Sequence, residues 1–170
     1  MDISIKTFSL IGSVILTGLS AGLFLAWSVS VIPGTKKLED LTYLATMQSI
    51  NRAILNPGFF LIFFGSLILL CFSFFSEFNH NKLTFWLLLF ACTSYLIGTI
   101  GATGIGNVPL NDQLEALNLS KISQNKMSVF RKYYETNWNR LHQIRTVFAL
   151  VSFVLALLAL CYQNSKITSL

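Results

Sequence analysis

Four long stretches of the chain carry no charged residue: Thr7 to Thr35, Ala53 to Ser76, Leu83 to Asn111, and Thr146 to Ser165. Each reaches the roughly 20 residues needed to cross a hydrocarbon core of about 30 Å. A chain in lipid must satisfy its own backbone polar groups, and these runs lack the polar residue at every second position that a barrel strand needs. The pattern therefore predicts an all-α bundle of four transmembrane helices, spanning 7–32, 57–76, 83–106 and 143–163. Proline motifs punctuate the ends. "IPG" at Ile32–Gly34 is expected to stop the first helix, and "NVPLN" at Asn107–Asn111 to end the third. "NPG" at Asn56–Gly58 reads as an N-cap with proline in the first turn of the second.

The loops carry weaker patterns. Between the first two spans, Leu38, Leu41, Leu44 and Ala45 recur at intervals of three and four, predicting a short amphipathic helix. The third loop opens with "NDQLEAL", a second short amphipathic helix capped by Asn111, and continues into "LSKISQNK", expected to be mobile. Small residues repeat every fourth position at Gly18, Gly22 and Ala26, and again at Gly98, Ala102 and Gly106. Such stripes let helices approach closely in lipid. They serve contacts within a bundle or between copies equally well, so the oligomeric state stays open.

Composition sharpens the class. The chain is 54% hydrophobic and 11% charged, where soluble domains average about 25% charged residues. Its mean hydropathy is +0.64. Four spans leave no room for a soluble domain, so residues 1–170 are read as one integral membrane domain. The first apolar run exceeds the roughly 7–15 residues of a signal-peptide core and precedes no small-residue cleavage site, so it is read as a retained helix. Cys71, Cys92 and Cys161 lie in apolar spans without CxxC spacing and read as small hydrophobes. The net charge of +5 flanks the spans, which suits lipid headgroups and gives no nucleic-acid signal. Lys36, Lys37, Arg52, Lys121, Lys126, Arg131, Lys132, Arg140 and Arg145 lie on the face of the first and third loops. Only Lys6, Lys82 and Lys166 lie on the face of the termini. The positive-inside rule then places both termini on the non-cytoplasmic side.

The loop face also gathers the polar side chains. Trp27, Ser28 and Ser30 leave the first span, Asn51, Arg52 and Asn56 precede the second, Asn107 and Asn111 leave the third, and "WNRLHQIRT" leads into the fourth. In that last stretch Trp138, His142 and Arg145 stand at i, i+4 and i+7 and share one helical face. Arg145 lies deepest, where an arginine must find acceptors inside the bundle, and Asn107 and Asn111 are its expected partners. Arg140 points elsewhere and can reach the headgroups. Each residue alone has an ordinary structural use, as an aromatic belt or a helix-end signal. Together they describe either an interfacial anchor or the rim of a polar pocket. At the opposite face Glu77, His80 and Lys82 form a short hairpin expected to be solvated.

Other chemistries lack their parts. The two histidines fall at opposite faces, so paired axial ligands for haem are missing, and no histidine–carboxylate cluster offers a metal cage. No nucleophile motif, phosphate loop or dinucleotide fingerprint is present. The apolar spans hold no Asp, Glu or Lys, which argues against a proton- or ion-coupled transporter.

The motifs "GLSAGLFLAWSVSVIPG", "NPGFFLIFFGSLILL", "GNVPLNDQLEAL" and "WNRLHQIRTVFALVSFVLALLAL", in this order, resemble the anthrone oxygenase family of small four-helix membrane proteins. The resemblance implies oxidation of a polycyclic anthrone by O₂ to an anthraquinone, with no metal, flavin or other cofactor. Such chemistry needs an apolar slot for flat rings, a base, and a cation for the developing oxyanion. The resemblance secures the motif alone; from geometry on that motif, His142 is expected to be the base and Arg145 the oxyanion partner. Asn107 and Asn111 orient the substrate's oxygens, and Trp27 or Trp138 packs on its rings. A second reading stays open: a non-catalytic membrane protein that binds a lipid, a quinone-like ligand or a partner protein.

Overall fold

The computed structural model describes residues 5–167, with side chains as far as Gln163; Lys166, counted above on the terminal face, lies beyond the described side chains. Among the described residues all regular structure is helical, and four helices are long and apolar enough to cross a membrane. Helix α1 runs Ile5–Thr35, α3 Pro57–Glu77 and α4 Lys82–Glu115. Helix α2, Asp40–Ala53, lies between the first two spans, and α5 runs Gln124–Ile167.

The second helix begins as its sequence predicts. Asn56 is extended, and its Oδ1 accepts the Phe59 amide at 3.0 Å, with Pro57 in the first turn. The other two proline motifs behave differently. Neither stops its helix: α1 passes through Pro33 to Thr35, and α4 passes through Pro109 to Glu115. Each helix opens a π-helical turn just before its proline, at Trp27–Val31 in α1 and Thr103–Asn107 in α4. The residue preceding the proline bonds five residues back, from Ile32 N–H to Trp27 C=O and from Val108 N–H to Thr103 C=O. The wider turn makes room for a ring that would otherwise meet the carbonyl four residues back. Asn111 therefore caps nothing. It sits inside α4, and the separate helix expected in the third loop is the continuation of the third span.

The fourth span is likewise part of something longer. Helix α5 has 44 residues, about 66 Å at 1.5 Å per residue, roughly twice the hydrocarbon thickness. Only the stretch around Leu117–Ser123 separates it from α4, so most of the expected third loop is helical. The surplus length of α1, α4 and α5 meets α2 to build a second core. Tyr43, Leu44 and Met47 of α2 pack with Leu110, Leu114, Tyr134 and Trp138 above the transbilayer core of Phe24, Phe63, Leu88, Tyr95, Ala149 and Ala156. Leu41 is half-exposed, so the buried face of α2 is set by Tyr43, Leu44 and Met47. Arg131 ties this cap together, donating to the carbonyls of Leu38 and Lys36 and to Asp40 Oδ1 at 2.6, 3.0 and 2.9 Å. Its guanidinium covers the Tyr43 ring at 4.5 Å. Burial, helped by Glu135 and Tyr134, raises the Tyr43 hydroxyl above its ordinary pKa, so it stays protonated in the cap.

At the other end of the bundle Glu77 is not solvated. It is buried, and its Oε1 accepts from Gln163 Nε2 at 3.1 Å, because α5 reaches far enough to cover the α3–α4 hairpin.

Candidate functional site

The polar stripe of α5 faces inward at the junction between the cap and the transbilayer core. Tyr134, Trp138 and His142 follow one another at four-residue spacing, with Arg145 and Thr146 completing the face. Trp138 is 3% exposed, His142 0% and Arg145 8%. The imidazole of His142 lies flat on the Trp138 indole, with ring centres 5.1 Å apart and planes 7° from parallel. Trp27, delivered by the π-helical turn of α1, tilts over the same indole at 5.7 Å. Trp138 therefore belongs to the buried site and not to an interfacial belt.

His142 and Arg145 are joined directly. Nδ1 of His142 accepts from Arg145 Nε at 3.1 Å and Nη2 at 2.9 Å. A guanidinium only donates, so Nδ1 carries no proton and the ring's proton sits on Nε2. Nε2 lies 3.1 Å from the Phe24 carbonyl and 3.0 Å from Ser28 Oγ. Both ring nitrogens are thus engaged within the protein.

Arg145 lies against two aromatic rings. Its guanidinium carbon lies 4.7 Å from the centre of Phe24 and 5.0 Å from that of Trp138. Among the described residues no carboxylate pairs with it, and Nη1 has no hydrogen-bond partner. Neither expected partner, Asn107 nor Asn111, bonds to it. Asn111 Oδ1 accepts from Trp138 Nε1 at 2.8 Å and from the Tyr134 hydroxyl at 3.0 Å. Asn107 Nδ2 donates to the Trp138 carbonyl at 3.2 Å. His142, one turn away on the same helix, reaches Arg145 first.

A narrow cavity of about 80 Å³ opens at this point. Its walls include Phe24 and Trp27 of α1, Phe59 of α3, Thr103, Asn107 and Asn111 of α4, and Trp138 and Arg145 of α5. His142 stands behind Arg145 and is not part of the wall. The volume holds a few waters or a small planar group. It lies below the roughly 300–1,000 Å³ of drug-sized ligand sites, so a tricyclic guest must displace movable side chains at its edge. Leu55 and Val108 line the cavity and are exposed, so little packing opposes their displacement.

All six residues singled out from the sequence therefore meet here: Trp27, Trp138, Asn107, Asn111, His142 and Arg145. Of the others on that face, Asn51 donates to the Tyr134 hydroxyl at 3.2 Å and lines the cavity. Arg52 is exposed and pairs with Glu115 at 2.9 Å, and Ser30 is exposed. Phe24, Phe59 and Tyr134 were not singled out. Tyr134 was findable, because it continues the four-residue spacing of Trp138 and His142; the two phenylalanines sit among many and carry no such mark. Among the described residues no three histidines, cysteines or carboxylates stand together. The cysteines are free thiols, and the sulfurs of Cys71 and Cys92 touch at 3.4 Å outside the cavity wall.

The sequence profile of the anthrone oxygenase family matches residues 59–155, more than half of the chain and every site residue of α3, α4 and α5. The chain belongs to the anthrone oxygenase family. No curated protein and no solved structure matches it. The anthrone oxygenase match begins at Phe59 on the cavity wall, so Phe24, Trp27 and Ser28, which close the site from α1, lie outside it.

Proposed function

We propose that the protein is a membrane-embedded oxygenase that oxidises a lipophilic polycyclic aromatic of the anthrone type with O₂, without a cofactor. One observation carries this reading: Arg145 is a buried cation with no carboxylate partner among the described residues, at the wall of an aromatic cavity in an anthrone oxygenase family member. Burying an uncompensated charge is costly, and a ligand oxygen that becomes negative during reaction offsets that cost only when it is needed.

In the proposed reaction the substrate's keto oxygen meets the free edge of Arg145. Loss of a methylene proton to water then gives an enolate whose charge sits on that oxygen. The enolate passes one electron to O₂, and the resulting radicals combine at the former methylene carbon as a peroxide anion, which takes back a proton from water. The hydroperoxide so formed loses water to leave a second carbonyl. One oxygen atom of O₂ ends in the product and the other in water. Phe24, Trp27, Phe59 and Trp138 supply the apolar walls. His142 acts through Arg145, as a positioning residue, because its lone pair already receives the guanidinium.

The test is O₂ uptake by purified protein with emodin anthrone. Wild type should exceed empty micelles, and Arg145→Ala should fall by about 10²-fold or more, as when an oxyanion donor is removed. Wild type no faster than micelles would remove the oxygenase reading for this substrate and favour the alternative, a quinone-like ligand held without turnover. Activity unchanged in both Arg145→Ala and His142→Ala would leave the reaction and remove the site.

A further inference from the structure

We infer that Asn107 makes the cavity selective for polycyclic ketones and quinones that carry a free hydroxyl, one not tied to the molecule's own carbonyl. The inference rests on the reading of the cavity as a ligand site, though not on its being catalytic.

The argument begins with one atom. Asn107 is 1% exposed, lines the cavity, and its Oδ1 is buried without a hydrogen-bond partner. The orientation of the amide is settled by its other end, which faces the Trp138 carbonyl at 3.2 Å. A backbone carbonyl only accepts, so the atom facing it is Nδ2, and Oδ1 is the atom left over. A buried acceptor without a donor is destabilising and needs a reason. Its neighbour Asn111 shows the contrast, with Oδ1 satisfied twice by Trp138 and Tyr134. Two asparagines one helical turn apart therefore differ in kind. Asn111 belongs to the scaffold, and Asn107 offers an unused acceptor.

Arg145, which lines the same cavity, has the opposite deficiency, since its Nη1 is a donor without an acceptor among the described residues. A guest that satisfies both must present an oxygen acceptor to Arg145 and an O–H or N–H donor to Asn107, on a flat apolar frame that fits among Trp27, Phe59 and Trp138. A hydroxyl next to the guest's carbonyl is unsuitable, because its proton is already held inside the molecule. A site built around such a donor discriminates strongly against analogues that lack it, because the protein's acceptor then stays unpaired.

The experiment uses the full chain in detergent micelles and follows quenching of tryptophan emission, since Trp27 and Trp138 both line the cavity. The probes are 2-hydroxyanthraquinone, 1-hydroxyanthraquinone and unsubstituted anthraquinone. In wild type the 2-hydroxy compound should bind about tenfold or more tighter than the other two, which should lie within about threefold of each other. In Asn107→Leu, which keeps the side chain's size, that preference should collapse to about threefold or less while the melting temperature holds or rises. A purely structural Asn107 would give a lower melting temperature and an unchanged preference. Should Asn107→Leu fail to fold, the wild-type series still decides. There 2-aminoanthraquinone, which also donates, should bind more tightly than 2-methylanthraquinone. Equal binding of all probes in wild type, with Arg145→Ala weakening every one, would overturn the inference and keep the site. No quenching by any probe would overturn the site reading and the inference together.

Discussion

The position of Arg145 depends on shape as much as on charge. Its guanidinium lies against Phe24 and Trp138, and one edge is held by His142, which leaves the other edge for a ligand. Lysine is a point charge without that planar group, so Arg145→Lys should recover little of what Arg145→Ala loses. In an O₂-uptake assay its kcat/KM should stay about 10–100-fold below wild type. A near-normal value would show that charge alone suffices. His142 gives a sharper test. An asparagine there keeps an acceptor close to the position of Nδ1, whereas leucine does not. If the residue positions Arg145, His142→Asn should keep turnover within about tenfold of wild type, while His142→Leu falls with Arg145→Ala. If the residue is the base, both variants should fall alike. The shared face of Trp138, His142 and Arg145 was legible from spacing alone. The hydrogen bond between the last two was legible too in principle, as an i, i+3 pair. Spacing alone does not rank that bond above acceptors on other helices, which an arginine at this depth can also reach.

Helix ends were harder to read than helix cores, and the prolines show why. Pro57 follows a capping asparagine and starts a helix, while Pro33 and Pro109 follow chain that is already helical. The same residue type starts a helix or is absorbed by one, according to whether the residue before it is extended, as Asn56 is, or already helical, as Ile32 and Val108 are. The π-helical widening shifts side-chain phase by about one residue per bulge, and it lies where Trp27 and Asn107 enter the site. A period of 3.6 drawn through the apolar runs cannot show such a shift. The small-residue stripes were legible as packing devices, yet their members are unequal. A methyl added at Gly98 would sit 1.9 Å from Cγ of Phe148 on α5, while one added at Gly22 meets nothing within 4 Å. Gly98→Ala should therefore lower the thermal stability of the micelle-bound protein markedly, by about 1–3 kcal/mol or more, and Gly22→Ala should be neutral within about 0.5 kcal/mol. Equal effects at the two positions would mean that the α4–α5 contact is looser than described.

At the scale of the whole molecule the site is a seam. Below it lies a transbilayer core of apolar and small residues; above it lies the cap that α2 builds with the surplus length of α4 and α5. An apolar guest dissolved in the bilayer can reach such a seam from the lipid, while O₂, also lipophilic, needs no channel of its own. The side on which the seam lies follows from the charges around it. Arg52 and Arg131 have carboxylate partners, and Arg145 is buried. Without these three, the cap face still carries Lys36, Lys37, Lys121, Lys126, Lys132 and Arg140, against Lys6, Lys82 and Lys166 on the other. Basic residues near short loops are retained in the cytoplasm, so we propose that the cap is cytoplasmic and both termini are not. A single cysteine placed at Lys121, in a variant with Cys71, Cys92 and Cys161 replaced by alanine, should resist a membrane-impermeant thiol reagent in intact cells and react once the membrane is opened. A cysteine at Asn79 in the α3–α4 turn should react in intact cells. The reverse pattern would invert the topology and place the seam in the outer leaflet, leaving the geometry of Arg145 and Asn107 as it stands but changing the leaflet from which a guest enters.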